Sequence, residues 1–269
     1  MIGPLIDPWP GAPEDLIELQ STIAGLRASA VTSSLWQATG PAAVGGCFAA
    51  FADLMPEGQR AWAAAVVWPA NGEKPRSADH ALRRRSGLPR QAQDVDAQAV
   101  VSGVVSVSYV PGLLALRQGR LLDEAVRSLP TPPDVLLVDA TGLDHPRRAG
   151  LALHLGAALG LPTVGVTHRS LLAHGELPDL VRGARSAVFL DDEVVGYWVT
   201  TRTRARPVLA HAGWRTNAET AADLVLLAST EGARTPVPIQ EARRVAREAR
   251  AAGRRISTSW PRRHPSRIR

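Results

Sequence analysis

The sequence predicts an α/β fold built on a mixed sheet that opens with three antiparallel strands, continues with parallel ones and is flanked by helices. The first sign is a set of short apolar runs containing Val, Phe and Trp at 44–51, 62–68 and 100–107, which read as strands. The second is the change after 130–133 to a strand–helix–strand order, in which short and fully apolar runs flank a helical pattern; such strands are usually parallel. The third is size. A chain of 269 residues with 45% hydrophobic positions buries one substantial core, and one domain is the simplest reading.

Each element has its own signal. A first helix is expected over 14–26, where Leu16, Ile17, Leu19, Ile23 and Leu26 recur at helical spacing behind an acidic first turn. Three strands follow, and the segment 69–91, with Arg83, Arg84 and Arg85 between Pro and Gly residues, reads as a loop inserted before the third. A helix is expected over about 113–129, then a strand at 135–138, a helix at 145–159 and a strand at 163–166. Strands at 186–190 and 193–200 form a hairpin about Asp191, Asp192 and Glu193, and a further strand spans 208–211. Helices at 216–229 and 239–251 complete a domain over 1–252. The remainder, 253–269, is basic, broken by Pro and poor in aliphatics, and is expected to be disordered.

Composition narrows the function classes. No apolar run is long enough to cross a bilayer and no basic-then-apolar leader follows Met1, so a soluble cytoplasmic protein is expected, acting as a monomer away from membranes. Cys47 is the single cysteine, which excludes an internal disulfide and a Cys-rich zinc site. A net charge of +6 suits an anionic partner such as nucleic acid. The same charge has a plainer source, because Lys74 is the only lysine and a global preference for arginine can reflect genome composition.

Three antiparallel strands followed by parallel strands with helices on both sides describe a sheet of ribonuclease H type. In such a sheet Asp139 falls at the carboxyl end of its strand, where open α/β sheets place their sites. Near it in this order stand Tyr109-Val110-Pro111-Gly112-Leu113-Leu114, then Asp139, Gly142, His145, Pro146 and Arg147. These segments resemble the PYIPGLL and D-G-x-G-x-x-H-P-R blocks of the endonuclease V family, which cuts nucleic acid near deaminated adenine. The resemblance continues through Gly150-Leu151-Ala152-Leu153-His154-Leu155-Gly156, Leu161-Pro162-Thr163-Val164-Gly165-Val166 and 213–217. With Gln20 and Pro236-Val237-Pro238 also in familiar places, it covers roughly Trp9 to Ala251.

The resemblance implies carboxylates from separate elements holding Mg²⁺, which polarises the phosphate and activates water. By position the site comprises Cys47, Gln118, Asp139, His168, Trp214 and Asn217. Cys47 stands where the family pattern G-V-D has its acid, Gln118 where F-R-E has its glutamate, and His168 where V-A-K has its lysine. Trp214 stands at the histidine of G-H-R, and Asn217 where some members carry aspartate. Hard Mg²⁺ prefers oxygen to sulfur, Gln118 is neutral, and each lost charge weakens attraction to a divalent ion. Asp139 is therefore the one metal ligand expected here, and no tightly bound Mg²⁺ is expected.

Asp144, Glu219 and Asp53 are the candidate replacement acids. Glu219 lies two residues beyond Asn217 and Asp53 six beyond Cys47, spacings that point elsewhere; Asp144, beside His145, is the best of them, although an ordinary loop acid is the plainer identity. Arg169 stands beside His168 as a partial substitute for the lost cation.

Recognition residues are better kept. The resemblance makes Tyr109, Pro111 and Gly112 a wedge, Gly142, Gly150 and Gly165 part of the backbone that receives an extruded base, and His145 and Arg147 further nucleic-acid-binding residues, Arg147 available to the phosphate backbone. Ser108 and Ala140 depart from the pattern, the second adding a methyl where backbone approaches closely. Plainer roles stand beside these: Cys47 as a small buried hydrophobe, His145 as a helix cap, His154 as a core residue, Tyr109 as a turn aromatic and Trp214 as a plug. Three functions follow from the sequence: an impaired relative that binds inosine-containing DNA or RNA, an active enzyme with a rearranged metal site, or a repurposed fold using its thiol or its surface. Motif order places each at the family's catalytic positions, so Cys47, Gln118, Asp139, His168 and Trp214 are expected to converge at one end of the sheet.

Overall fold

A computed structural model describes residues 7–30, 35–36, 43–52, 58–69 and 95–257. Its eight strands are β1 (Ala43–Phe51), β2 (Gln59–Pro69), β3 (Ala97–Val105), β4 (Val135–Val138), β5 (Thr163–Thr167), β6 (Arg185–Leu190), β7 (Glu193–Val199) and β8 (Val208–Ala212). The helices are α1 (Pro13–Ala30), α2 (Leu114–Arg127), α3 (Leu151–Leu159), α4 (Ala218–Leu227) and α5 (Val237–Ser257). One sheet holds all the strands, in the order β3-β2-β1-β4-β5-β8-β7-β6. Only β1, β4 and β5 run parallel; β3-β2-β1 on one side and β5-β8-β7-β6 on the other are antiparallel.

Alternation along the strands divides the core. Cys47, Leu136 and Val138 pack with Ala115 and Leu122 of α2 and with Leu151, Ala152 and Leu155 of α3. Val135, Leu137, Val164 and Val166 pack instead with Ala221, Leu224 and Val225 of α4 and Ile239 of α5. A third cluster joins Ile23 of α1 to Leu153, Val188, Val195, Trp198 and Trp214, and a fourth joins Ala50, Ala64 and Val66 to Ala242, Val245 and Ala246 of α5. Helices α1–α3 thus cover one face and α4–α5 the other.

The β6–β7 hairpin turns on Asp191 and Asp192 with φ of 48° and 63°, the pair of positive values that a two-residue turn with matching twist requires. The helix expected from 145 starts only at Leu151. His145 precedes Pro146, which disfavours helical backbone, and Arg148 sits at φ 53° to turn the chain toward α3. The helix expected from 216 starts at Ala218, because the Asn217 side chain accepts from the Thr220 N–H at 2.7 Å and caps it. β3 ends at Val105, two residues short of the expected 107. α5 runs on to Ser257, into the stretch expected to be tail. The rest of that tail, most of the arginine-rich insertion, and Asp53 lie outside the described residues.

Candidate active site

β4 ends at Val138, and Cys47 of β1 lies directly beside Val138 in register. Asp139 therefore leaves the sheet at its carboxyl edge next to β1. There its Oδ2 accepts a hydrogen bond from a terminal nitrogen of Arg243 on α5 at 2.8 Å, an ion pair whose side chains are 25% and 21% exposed. His168, immediately after β5, reaches the same edge: burial and the charges of Arg234 and Arg243 push its pKa down, and Asp139 pulls it up. Asp139, His168 and Arg243 form one electrostatic group.

Cys47 is adjacent, close enough for the charge of Asp139 to act on its thiol. It is fully buried among the residues under α2 and α3, and burial, followed by the charge of Asp139, raises its pKa. The thiol stays protonated. Gln118 is half-buried, on the α2 face that Ala115 and Leu122 press against the sheet, so helical spacing aims it at the same layer.

Trp214 does not join this group, a correction to the expected convergence. Its backbone pairs with Thr163, at the start of β5, with Thr163 N–H donating to Trp214 O at 2.9 Å and Trp214 N–H donating to Thr163 Oγ1 at 2.9 Å. β8 runs antiparallel to β5, so everything after Ala212 is carried to the end of the sheet opposite Asp139 and His168. The indole packs against Ile23, Leu153 and Ala157 and is 6% exposed. Asn217 lies with it and is occupied as a helix cap.

The replacement acids have other partners. Asp144 is fully buried and accepts from the N–H groups of Leu171, Leu172 and Ala173 at 2.7, 2.8 and 2.9 Å. Glu219 accepts from the Tyr197 hydroxyl at 3.1 Å. Among the described residues no group of three or more His, Cys, Asp or Glu side chains could hold a metal ion. Among the described residues the donor set around Asp139 does not fit Mg²⁺: one carboxylate, already paired with a guanidinium, stands near a protonated thiol and a neutral imidazole.

The recognition segments do assemble. Gly112 sits at φ 79°, a left-handed value that glycine adopts without strain. Its carbonyl accepts from Arg147 at 2.8 Å, from His145 Nε2 at 3.0 Å and from Gln20 Nε2 at 3.3 Å, while Arg147 Nε donates to Gln20 Oε1 at 2.7 Å. Three donors on one carbonyl fix the turn and leave Tyr109 60% and Val110 44% exposed at its tip, beside exposed Pro111. His145 is a clamp here and not a helix cap; burial pushes its pKa down to about 4. The loop from Asp139 then crosses β5 toward β8. A Cβ on Gly165 would stand 2.4 Å from Ala140 O, and one on Gly142 2.0 Å from Ala212 O, so both glycines serve this crossing. Gly150 meets the same loop at Thr141. His154 is a core residue, stacked on Trp9 with ring centroids 4.7 Å apart.

Arg243 and its neighbour Arg247 were not legible as site residues. Both lie on α5 beside the Ala242, Val245 and Ala246 stripe that packs on the sheet, and an arginine at the edge of an apolar stripe, one turn from another, was the available signal.

The sheet order, with an acid at the carboxyl end of β4 beside β1, defines a ribonuclease H-like α/β protein. The chain belongs to the endonuclease V family: the Endonuclease V family model matches residues 88–244. It is 36% identical over 189 residues to Endonuclease V of Gloeobacter violaceus, covering 70% of this chain and 75% of that protein. It is 43% identical over 133 residues to Endonuclease V of Roseiflexus castenholzii, covering 49% of this chain and 60% of that protein, less than two thirds of its length. The crystal structure of Endonuclease V from Streptomyces avermitilis superposes with a TM-score of 0.73 at 29% identity, covering 91% of this chain and 96% of that one. Among the described residues no helix is long and apolar enough to cross a membrane.

Proposed function

We propose that this protein binds DNA or RNA containing deaminated adenine, as its family resemblance implies, and that Mg²⁺-dependent phosphodiester cleavage is lost or strongly impaired. The observation that carries this reading is the pairing of Asp139 with Arg243 where the family places a metal-binding acid. A guanidinium cannot be deprotonated at neutral pH, so it competes permanently with any ion for that carboxylate. The recognition turn supports the binding half: Tyr109 is exposed on a backbone fixed by Gln20, His145 and Arg147. An active enzyme with a rearranged metal site is less well supported, since Asp144 and Glu219 are both engaged elsewhere. Thiol chemistry is disfavoured by the raised pKa of Cys47.

The test is a cleavage assay with Mg²⁺ and with Mn²⁺ on inosine-containing DNA and RNA, with binding measured in parallel. The expected outcome is salt-sensitive binding without cutting. Tyr109→Ala should weaken binding mainly for the inosine substrates; equal weakening for inosine and unmodified strands would make Tyr109 structural. Metal-dependent cutting at inosine by the unmodified protein would refute the impaired-site reading.

A further inference from the structure

Arg243 and Arg247 stand one helical turn apart on α5, roughly 6 Å along its axis. Their guanidinium carbons lie 5.4 and 5.9 Å from the centroid of the same ring, Phe48 of β1, so one aromatic side chain supports both cations. They border an open groove of about 550 Å³ that also meets Thr235 and Gln240. The other charges in this groove are already matched: Arg244 donates to Glu241 at 2.8 Å and to both oxygens of Glu248 at 3.0 and 2.9 Å. Arg243 spends one terminal nitrogen on Asp139, and among the described residues its Nε has no partner. Arg247 has the Phe48 ring and, among the described residues, no carboxylate.

We infer that Arg243 and Arg247, held side by side on Phe48, form a metal-independent cradle for the phosphodiester backbone of a single nucleic-acid strand at the edge marked by Asp139. This rests on the nucleic-acid reading above and adds to it the means of grip. Arginine presents its donors in a planar fork that matches phosphate oxygens two at a time. With Arg243 already beside Asp139, the cation that faces the phosphate belongs to the protein, so binding does not wait for an ion. The groove is open, which suits a strand whose bases are free to turn outward.

Fluorescence anisotropy of a labelled single-stranded oligonucleotide, across salt concentrations and in excess EDTA, tests this with the full chain. The unmodified protein is expected to bind in EDTA as it does in Mg²⁺. Arg247→Gln, which leaves no carboxylate unpaired among the described residues, should weaken binding roughly 5-fold and reduce the salt slope by about 0.7, the loss of one phosphate contact. Arg243→Gln should do the same or more, since it also exposes the charge of Asp139. Arg127→Gln, at the far end of α2, serves as the control for diffuse charge. Unaltered affinity in Arg247→Gln, an equal loss in Arg127→Gln, or binding abolished by EDTA would each overturn the cradle. So would displacement of the oligonucleotide by polyglutamate at equal charge, which would mark a site for acidic protein segments. Those results leave the inosine comparison with Tyr109→Ala standing, whereas no binding to any strand at low salt would defeat the nucleic-acid reading itself.

Discussion

Asp144 is fully buried and holds three successive backbone N–H groups, those of Leu171, Leu172 and Ala173. Hydrogen bonds to a charged acceptor are each worth more than neutral ones, so Asp144→Ala should cost about 3 kcal/mol and lower the melting temperature by several degrees. An unchanged melting temperature would mean that the loop holds itself. Three histidines give the fold a pH limit. His145, His154 and His211 are all pushed down from the ordinary value of 6.5 to about 4, in each case chiefly by burial. His154 donates to Pro8 O through Nε2 at 2.7 Å, and its Nδ1 has no partner among the described residues, so a second proton there would find no acceptor. Between about pH 6.5 and 4 the unfolded chain takes up protons that the folded chain refuses, and stability must fall as pH drops through that window. Thermal melts at pH 7 and pH 5 check this: the melting temperature should be clearly lower at pH 5, and a flat profile would contradict the buried neutral imidazoles.

At the scale of elements, the 139–150 loop carries the chain from Asp139 across β5 toward β8 and supplies His145 and Arg147 to the recognition turn. It depends on backbone contact at Gly142, where an added Cβ would lie 2.0 Å from Ala212 O. Gly142→Ala should therefore cost stability through displaced backbone, seen as a lower melting temperature and faster proteolysis after Asp139; a protein as stable as the original would show that the loop has room. Most elements were legible because their apolar periods are strong: β4 matches the expected 135–138 at both ends, and β1, β2 and β5–β7 lie within three residues of expectation at each end. The misses have local causes. α3 starts later than its apolar pattern implies because Pro146 and the positive φ of Arg148 interrupt that pattern after His145, and α4 starts later because Asn217 caps the helix instead of entering it. Strand direction was the costlier miss. Motif order brought Trp214 to the site, but antiparallel β8 delivers its end beside Thr163, and no spacing along the chain reveals that. The partner of Asp139 was hidden for the same reason: Arg243 is 104 positions away, on the helix that covers the opposite face from Cys47.

For the whole molecule, the sheet brings together, among the described residues, one carboxylate and one guanidinium where a divalent ion requires several oxygen donors. On the proposed reading this edge holds a cation of the protein's own, Arg243, in place of a metal. Isothermal titration calorimetry with Mn²⁺ and Mg²⁺ tests it most directly, comparing the unmodified chain with a variant carrying Cys47→Asp, Gln118→Glu and Arg243→Gln, checked for its fold by circular dichroism. The account predicts no saturable binding to the unmodified chain at millimolar metal and a measurable isotherm for the folded variant. A saturable isotherm from the unmodified chain, abolished by Asp139→Asn, would contradict it.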